Sequence, residues 1–193
     1  MNVEEEKGQK KDNFIQNLNY FLEEYSDAIK DERSFNRHSR NSANLSRVIG
    51  ESFCRFIILD SNKPEAEKRG CITQTLSPLI DTITKSNNPY IEDERDRIIL
   101  QDRLKRILSV GNNDSHDTNY PTNKRDLDEV KNNVLFLSGY ILGEQLTVQI
   151  EENFSNKSKK QMDLGASIVI NSDKFQGNVN KGDNATFGNQ TFS

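Results

Sequence analysis

The sequence predicts an all-α helical bundle of about five helices, followed by a short C-terminal tail that favours β structure. Apolar residues recur at helical spacing before the tail, and charged residues, 29% of the chain, lie between them. From Met162 onward the chain lacks Pro and is rich in Gly, Asn and β-forming residues. We therefore divide the chain into a flexible N-terminus (1–12), a helical bundle (13–152), a polar linker (153–161) and a β-forming tail (162–193).

The first two predicted helices are separated by a polar stretch. The first follows a charged start that we expect to be frayed, and its apolar stripe is Phe14, Ile15, Leu18, Phe21, Leu22, Tyr25 and Ile29. Residues 31–40 break the pattern, and the second helix follows with Asn41 or Ser42 as its N-cap. Its stripe is Leu45, Val48, Ile49, Phe53, Phe56 and Ile57. The apolar run that begins at Phe56 predicts that this helix is the central one.

Three further helices complete the predicted bundle. A stripe over residues 72–83 contains Pro78, which predicts either a kink or the true start of the helix. The fourth stripe is Ile91, Ile98, Ile99, Leu104, Ile107 and Leu108. Residues 110–123 have no periodicity and many turn formers, which predicts a loop. A fifth helix starts near residues 124–125 and extends to about Glu151.

Charge argues against broad binding of nucleic acid. The net charge is -4, whereas unspecific binding to phosphates needs a basic field. The segments 68–69 and 103–106 are the candidates for a local basic patch, but charge runs of this kind more often form solvated helix faces.

The two cysteines and the hydropathy of the chain exclude other classes. Cys54 and Cys71 lie in apolar helical contexts without CxxC or Cys/His spacing, so we expect reduced thiols and no metal site. We also expect no cofactor. No apolar stretch approaches the roughly 20 residues that a membrane helix needs. The sequence therefore predicts a cytoplasmic protein without membrane contact.

Two histidines are the candidates for acid–base chemistry. His38 lies in a polar, charged stretch and is predicted to be a surface residue. His116 lies in the predicted loop after the fourth helix, together with Gly111, Asn112 and Asp114. We expect this loop motif to form a polar network in which the histidine has a structural role.

The loop motif resembles a segment of the HEPN superfamily, in particular its DUF4145-like branch. That branch carries Arg-x-x-Gly-Asn-x-x-x-His between its last two core helices, and Gly111, Asn112 and His116 match these offsets. The run over residues 47–59 is similar to the central helix of the same branch. The resemblance covers roughly residues 14–144 and implies a HEPN-like bundle.

Catalytic HEPN proteins are metal-independent ribonucleases with an Arg-x(4–6)-His pair, usually completed across a dimer. If the resemblance extends to activity, His116 would be the general acid or base, and an arginine would bind the phosphate. This chain departs from the pattern, because residues 109–111 contain no arginine and Leu108 occupies the arginine position of the branch. The substitute phosphate ligand would be Arg106 or Arg103.

The tail combines β-forming side chains with Gly and Asn turns. The candidate assembly residues are Ile168, Ile170, Phe175, Val179, Phe187 and Phe192. Aligned Asn and Gln side chains stack as amide ladders in cross-β assemblies. The run over residues 177–184 resembles bacterial amyloid signalling motifs, which implies templated assembly with a partner. A hairpin docked on the bundle and a disordered tail are the alternatives.

These patterns predict a non-enzymatic adaptor or regulatory protein. It would form a dimer or higher homo-oligomer and contact a protein partner through the tail, with RNA a less favoured partner. Family resemblance suggests bacterial conflict or antiphage defence as the setting. The alternatives are a HEPN-type ribonuclease that assembly activates, and a helical protein whose tail stabilises a dimer.

Overall fold

The computed structural model describes residues 3–86, 90–115, 122–143 and Gln149, without the side chains of residues 113–115. This part of the chain forms six helices: α1 (Val3–Ala28), α2 (Glu32–Asp60), α3 (Glu65–Cys71), α4 (Leu76–Ile83), α5 (Glu94–Ser115) and α6 (Lys124–Leu142). The prediction of an all-α bundle is confirmed for these residues. The linker and the β-prone tail lie outside the described residues.

Helix α2 is the centre of the bundle, as its apolar run predicts. It packs against each of the other five helices. Phe53 is fully buried, and Phe56 and Ile57 are nearly so. One apolar cluster extends from Phe14 on α1 to Leu142 on α6. The apolar stripes that the sequence shows therefore form one shared core.

The prediction of a frayed start is wrong, because α1 already begins at Val3. Three glutamates in its first turn favour this end of a helix, where the backbone dipole is positive. Lys7 binds Asp60 at the end of α2, with Nζ 2.9 Å from Oδ1. Glu6 lies 3.5 Å from Arg69 of α3. These ion pairs attach the first turns of α1 to the rest of the bundle.

The prediction that residues 31–40 break the second helix is also wrong. Helix α2 begins at Glu32, and its N-cap is Asp31, whose carboxylate accepts a hydrogen bond from Ser34 N at 2.7 Å. Hydrogen bonds from Ser34 hold the pKa of Asp31 below its ordinary value. Asn41 and Ser42, the expected caps, lie inside the helix.

Small residues explain why this half of α2 escaped the apolar pattern. The buried residues here are Ser39, Ser42, Ala43 and Ser46. Two of these hydroxyls donate to the helix backbone, Ser42 to His38 O at 3.1 Å and Ser46 to Ala43 O at 2.7 Å. The segment therefore buries polar side chains, and the hydroxyls of Ser42 and Ser46 are hydrogen-bonded.

The third predicted stripe corresponds to the short helix α4. Pro78 lies in the first turn of α4, whose N-cap is Thr75, so the proline marks the start of the helix rather than a kink. Helix α3 lies between α2 and α4, and the sequence pattern did not predict it. Its buried Lys68 donates to Leu59 O at 2.9 Å, near the end of α2.

Helix α5 extends to Ser115, so the loop prediction is wrong for residues 110–115. Gly111 is buried at the point where α5 meets α2. A Cβ on this glycine would lie 3.1 Å from both Ala43 O and Arg47 Cβ. This glycine therefore permits a close approach of two helices rather than a turn.

Helix α6 begins as predicted and ends earlier than predicted. Its N-cap Asn123 accepts a hydrogen bond from Asp126 N at 2.9 Å. Gly143 has a φ of 89°, a backbone conformation that glycine adopts readily, and it ends the helix after Leu142 rather than near residue 151.

Candidate functional site

Three residues of the predicted loop motif lie in helix α5. Gly111, Asn112 and Asp114 belong to the last turns of α5, where Gly111 is buried and Asn112 half-buried. His116 lies outside the described residues, as do the tail residues Ile168, Ile170, Phe175, Val179, Phe187 and Phe192. The structural role proposed for this histidine therefore stays a prediction.

Arg103, one candidate phosphate ligand, is engaged by α6. Its Nη1 donates to Asn133 Oδ1 at 3.0 Å, and its guanidinium lies 4.0 Å from the centre of the Phe136 ring. A cation on an aromatic face is stabilised electrostatically and packs against the ring. This arginine therefore joins α5 to α6.

Arg106, the other candidate, is neutralised by two carboxylates of α6. Its Nη2 lies 2.5 Å from Asp126 Oδ1 and 2.9 Å from Glu129 Oε2. Burial alone would lower the pKa of Arg106, but the hydrogen bonds to Glu129 and Asp126 raise it above its ordinary value. A phosphate would have to compete with both carboxylates for this guanidinium.

Residues 68–69 do not form the basic patch considered from the sequence. Lys68 is buried against the α2 backbone. Arg69 lies 2.7 Å from Glu65 and also contacts Glu6. Both positive charges are therefore used within the bundle, and that of Lys68 is not on a solvated face.

His38 is not the simple surface residue that its polar surroundings predict. Its ring is largely covered, and Nδ1 lies 2.8 Å from Glu24 Oε2 of α1. The amide of Asn41 donates to the same carboxylate oxygen at 3.4 Å. This polar group links the C-terminal part of α1 to α2.

The two cysteines are free thiols. Cys54 is fully buried, and burial raises the pKa of its thiol well above the ordinary value, which makes it unreactive. Cys71 is half-buried, with Sγ 3.9 Å from the hydroxyl of Tyr90.

Within the described ranges, no cluster of His, Cys, Asp or Glu side chains is arranged to hold a metal ion. None of the helices there has the length and apolarity needed to cross a membrane.

A row of arginines on the outside of α2 has a different character. We call Arg33, Arg37, Arg40 and Arg47 the arginine face. At 100° per residue, their spacing places them within an arc of about 80° and along ~21 Å of the helix. The first three side chains are exposed, and Arg47 is half-buried. Among the described residues, none of the four forms a salt bridge.

Arg47 lies where the arginine face meets α5. Its Cβ is next to Gly111, and its Nε is buried without a hydrogen-bond partner in the described part of the chain. Nε of Arg106 is likewise buried without a partner, but the Nη2 atom of that residue contacts two carboxylates. Arg47 makes no comparable ion pair within the described residues.

Sequence reasoning missed the arginine face because it treated residues 31–40 as a break. The spacing of the arginines, four, three and seven residues apart, is visible in the sequence. It places them on one side only when the segment is one continuous helix. The signal was therefore present, but it depended on the start of α2.

A shallow groove between α1 and α2 adjoins the arginine face. Its volume is about 370 Å³, and its lining residues are Tyr20, Glu23, Glu24, Asn41, Asn44, Leu45 and Val48. Tyr20 is 49% exposed and Val48 is 37% exposed. Asn44 lies between Arg40 and Arg47 on the helix and also lines the groove, which we call the α1–α2 groove.

Comparisons of the chain with protein-family models, with curated proteins and with solved structures found no match. The resemblance to the HEPN superfamily and its DUF4145-like branch therefore stays a prediction from short motifs. The candidate site is defined by its own geometry, namely the arginine face and the α1–α2 groove beside it.

Proposed function

We propose that this protein is a non-enzymatic adaptor or regulatory interaction protein, in which the helical bundle carries a C-terminal assembly tail. The observation that carries the proposal is the state of Arg103 and Arg106. Both are engaged by α6 through Asn133, Phe136 and carboxylates, so neither is arranged to receive a phosphate. The exposed arginines lie instead on the outside of a helix, a position that suits a binding surface.

The arrangement of the core supports the two-part organisation. Within the described residues, one apolar cluster joins the stripes of the helices from Phe14 to Leu142. Gly143 ends the last described helix directly after this cluster. A bundle that buries its own apolar stripes leaves the β-forming residues of the tail available for pairing with other chains. Assembly with a second copy or with a partner receptor is the role we propose for the tail.

The proposal is tested with the full-length protein and a double substitution in the tail. Val179→Pro removes a hydrogen-bond donor of a strand, and Phe187→Asp puts a repeated charge into stacked copies. We expect this variant to lose higher-order assembly in light scattering while circular dichroism reports the same helical content. The matched control, Val179→Ile with Phe187→Tyr, should assemble as the parent does. Equal molar mass of parent and disrupted variant over a wide concentration range would contradict assembly through the tail.

The ribonuclease alternative is tested on the same preparation. We expect the full-length protein to leave RNA intact in the absence of metal ions. Cleavage that disappears with His116→Ala would overturn the adaptor proposal. The variants Arg106→Met and Arg103→Met would then identify the phosphate ligand.

A further inference from the structure

We propose that the arginine face and the α1–α2 groove together bind an amphipathic acidic helix of a partner protein. This inference rests on the adaptor proposal and gives a chemical class for one partner. It concerns the bundle, not the tail. Tail-driven assembly and binding at α2 can therefore fail independently.

The exposed side of α2 differs in charge from the chain as a whole. Although the net charge of the chain is -4, four arginines lie along one side of α2, with no salt bridge to a carboxylate in the described ranges. Arg69 and Arg106 have carboxylates within 3 Å, and the exposed Arg95 and Arg125, which form no salt bridge with a described residue, lie on different helices. Guanidinium groups form bidentate hydrogen bonds with carboxylates, so an acidic side chain is a suitable partner.

The arginines of this face are regularly spaced along α2. Successive positions on the stripe are Arg33, Arg37, Arg40, Asn44 and Arg47, alternating four and three residues apart. This spacing is the one by which one helix contacts another along a seam. A helix with acidic residues at the same alternating spacing would place one carboxylate opposite each arginine over ~21 Å.

The α1–α2 groove presents apolar side chains beside the arginine face. Val48 and Leu45 follow the arginine stripe around α2 on the side of α1, and the exposed Tyr20 faces them across the groove. A partner that places carboxylates on the arginine face therefore brings its neighbouring stripe over the groove. The complementary surface is an acidic stripe beside an apolar one, which is an amphipathic acidic helix.

The surroundings of the face favour a protein partner over nucleic acid. Glu23 and Glu24 line the groove directly beside the stripe, where the phosphates of a nucleic acid would meet them. Single-strand binding combines phosphate contacts with stacking of bases on aromatic rings, and the arginine stripe itself contains no aromatic residue. An amphipathic helix can instead turn its acidic stripe to the arginines and place its apolar stripe over the groove, so that its carboxylates face away from Glu23 and Glu24.

The test uses the full-length protein and a synthetic helical peptide of about 18 residues, long enough to span the arginine face. The peptide carries Glu at alternating four- and three-residue spacing and Leu on the neighbouring stripe. A scrambled peptide of equal composition removes both stripes. The variant Arg37→Glu with Arg40→Glu reverses two charges of the face. Its matched control, Arg95→Glu with Arg125→Glu, changes two exposed arginines elsewhere that form no salt bridge with another described residue.

We expect the parent protein to bind the patterned peptide, and the scrambled peptide at least about tenfold more weakly. Charge reversal at Arg37 and Arg40 should weaken binding of the patterned peptide by about tenfold or more. Charge reversal at Arg95 and Arg125 should weaken the same binding by less than about twofold. Val48→Ser, which keeps every charge, should also weaken binding. Circular dichroism shows whether each variant keeps its helical content.

Four results would overturn the proposal. Equal loss in the two double variants would show unspecific attraction, and equal binding of both peptides would show that pattern is irrelevant. Binding of an oligouridylate of about 20 nucleotides, lost with Arg37→Glu and Arg40→Glu while the peptide fails to bind, would assign the face to nucleic acid. A lower molar mass of that variant without peptide would assign the face to a second copy of this chain.

Discussion

The arginines of α5 and those of α2 are chemically identical but differ in what surrounds them. Arg103 and Arg106 project toward α6, which supplies an amide, an aromatic ring and two carboxylates. Arg37 and Arg40 project from α2 into solvent. Charges of the first kind hold helices together, and charges of the second kind are available to a partner. The count of charges in a sequence cannot separate the two kinds.

The difference between the two arginine sets requires that one side of α2 faces the core and the other side faces solvent. Phe53→Ala should lower the free energy of unfolding by about 3–5 kcal/mol, because Phe53 is fully buried and its removal leaves a cavity. Val48→Ala, on the groove side of the same helix, should cost less than about 1 kcal/mol, because Val48 is 37% exposed. Urea unfolding followed by circular dichroism measures both. Similar costs would show that the two sides are not distinct.

The positions of the two arginine sets also require that α5 packs closely against α2. Gly111→Ala should destabilise the bundle by about 1–3 kcal/mol, because the new methyl group meets the Ala43 carbonyl and the Arg47 side chain at 3.1 Å. Gly8→Ala, within α1, meets nothing within 4 Å and should stabilise by about 0.5–1 kcal/mol. Thermal unfolding shows whether Gly111→Ala lowers the melting temperature and Gly8→Ala raises it. A stabilising Gly111→Ala would mean that α5 does not approach α2 closely.

The two arginine sets differ directly in their contribution to stability. Arg106→Met should cost about 1–2 kcal/mol, because Asp126 and Glu129 lose their shared cation at a partly buried contact. Arg40→Met, on the arginine face, should change stability by less than about 0.5 kcal/mol. The urea midpoints of the two variants, at equal ionic strength, give the comparison. Equal midpoints would remove the distinction between engaged and available arginines.

The smallest expected effect is a loss of stability at high pH that Tyr140 of α6 causes. Burial, together with the neighbouring Asp96, raises the pKa of Tyr140 to about 12. Between pH 10 and 12 the unfolded chain releases this proton while the folded chain keeps it, so the free energy of unfolding falls as pH rises. Tyr140→Phe should make the urea midpoint fall less steeply across this range. An unchanged slope would show that Tyr140 titrates alike in both states.

Large apolar residues made most of the fold predictable. The stripes of α1, α4 and α6 and the centre of α2 are periodic in Leu, Ile, Val and Phe, and these side chains form the core. The first half of α2 escaped prediction because it buries serine and alanine. The last turns of α5 escaped because Gly111-Asn-Asn-Asp-Ser115 has the composition of a turn, although packing against α2 keeps Gly111 within the helix.

The candidate site was predictable only through the fold. Arg103 and Arg106 were chosen from their distance along the chain to His116, but their side chains are directed to α6. The arginine face needed the correct start of α2 before its spacing meant anything. The assembly residues of the tail remain predictions, because they lie outside the described residues.

Hydrogen exchange at the arginine side chains tests the central distinction most directly. In the ¹⁵N-labelled full-length protein, we expect the guanidinium protons of Arg103 and Arg106 to exchange slowly and those of Arg37 and Arg40 rapidly, with assignments from single Arg→Lys variants. Buried or hydrogen-bonded protons exchange only when the structure opens, whereas exposed ones meet water at all times. Rapid exchange on α2 together with slow exchange on α5 is the expected result. Equally slow exchange at Arg37 and Arg40 would show that the arginine face is already covered, and would contradict its availability to a partner.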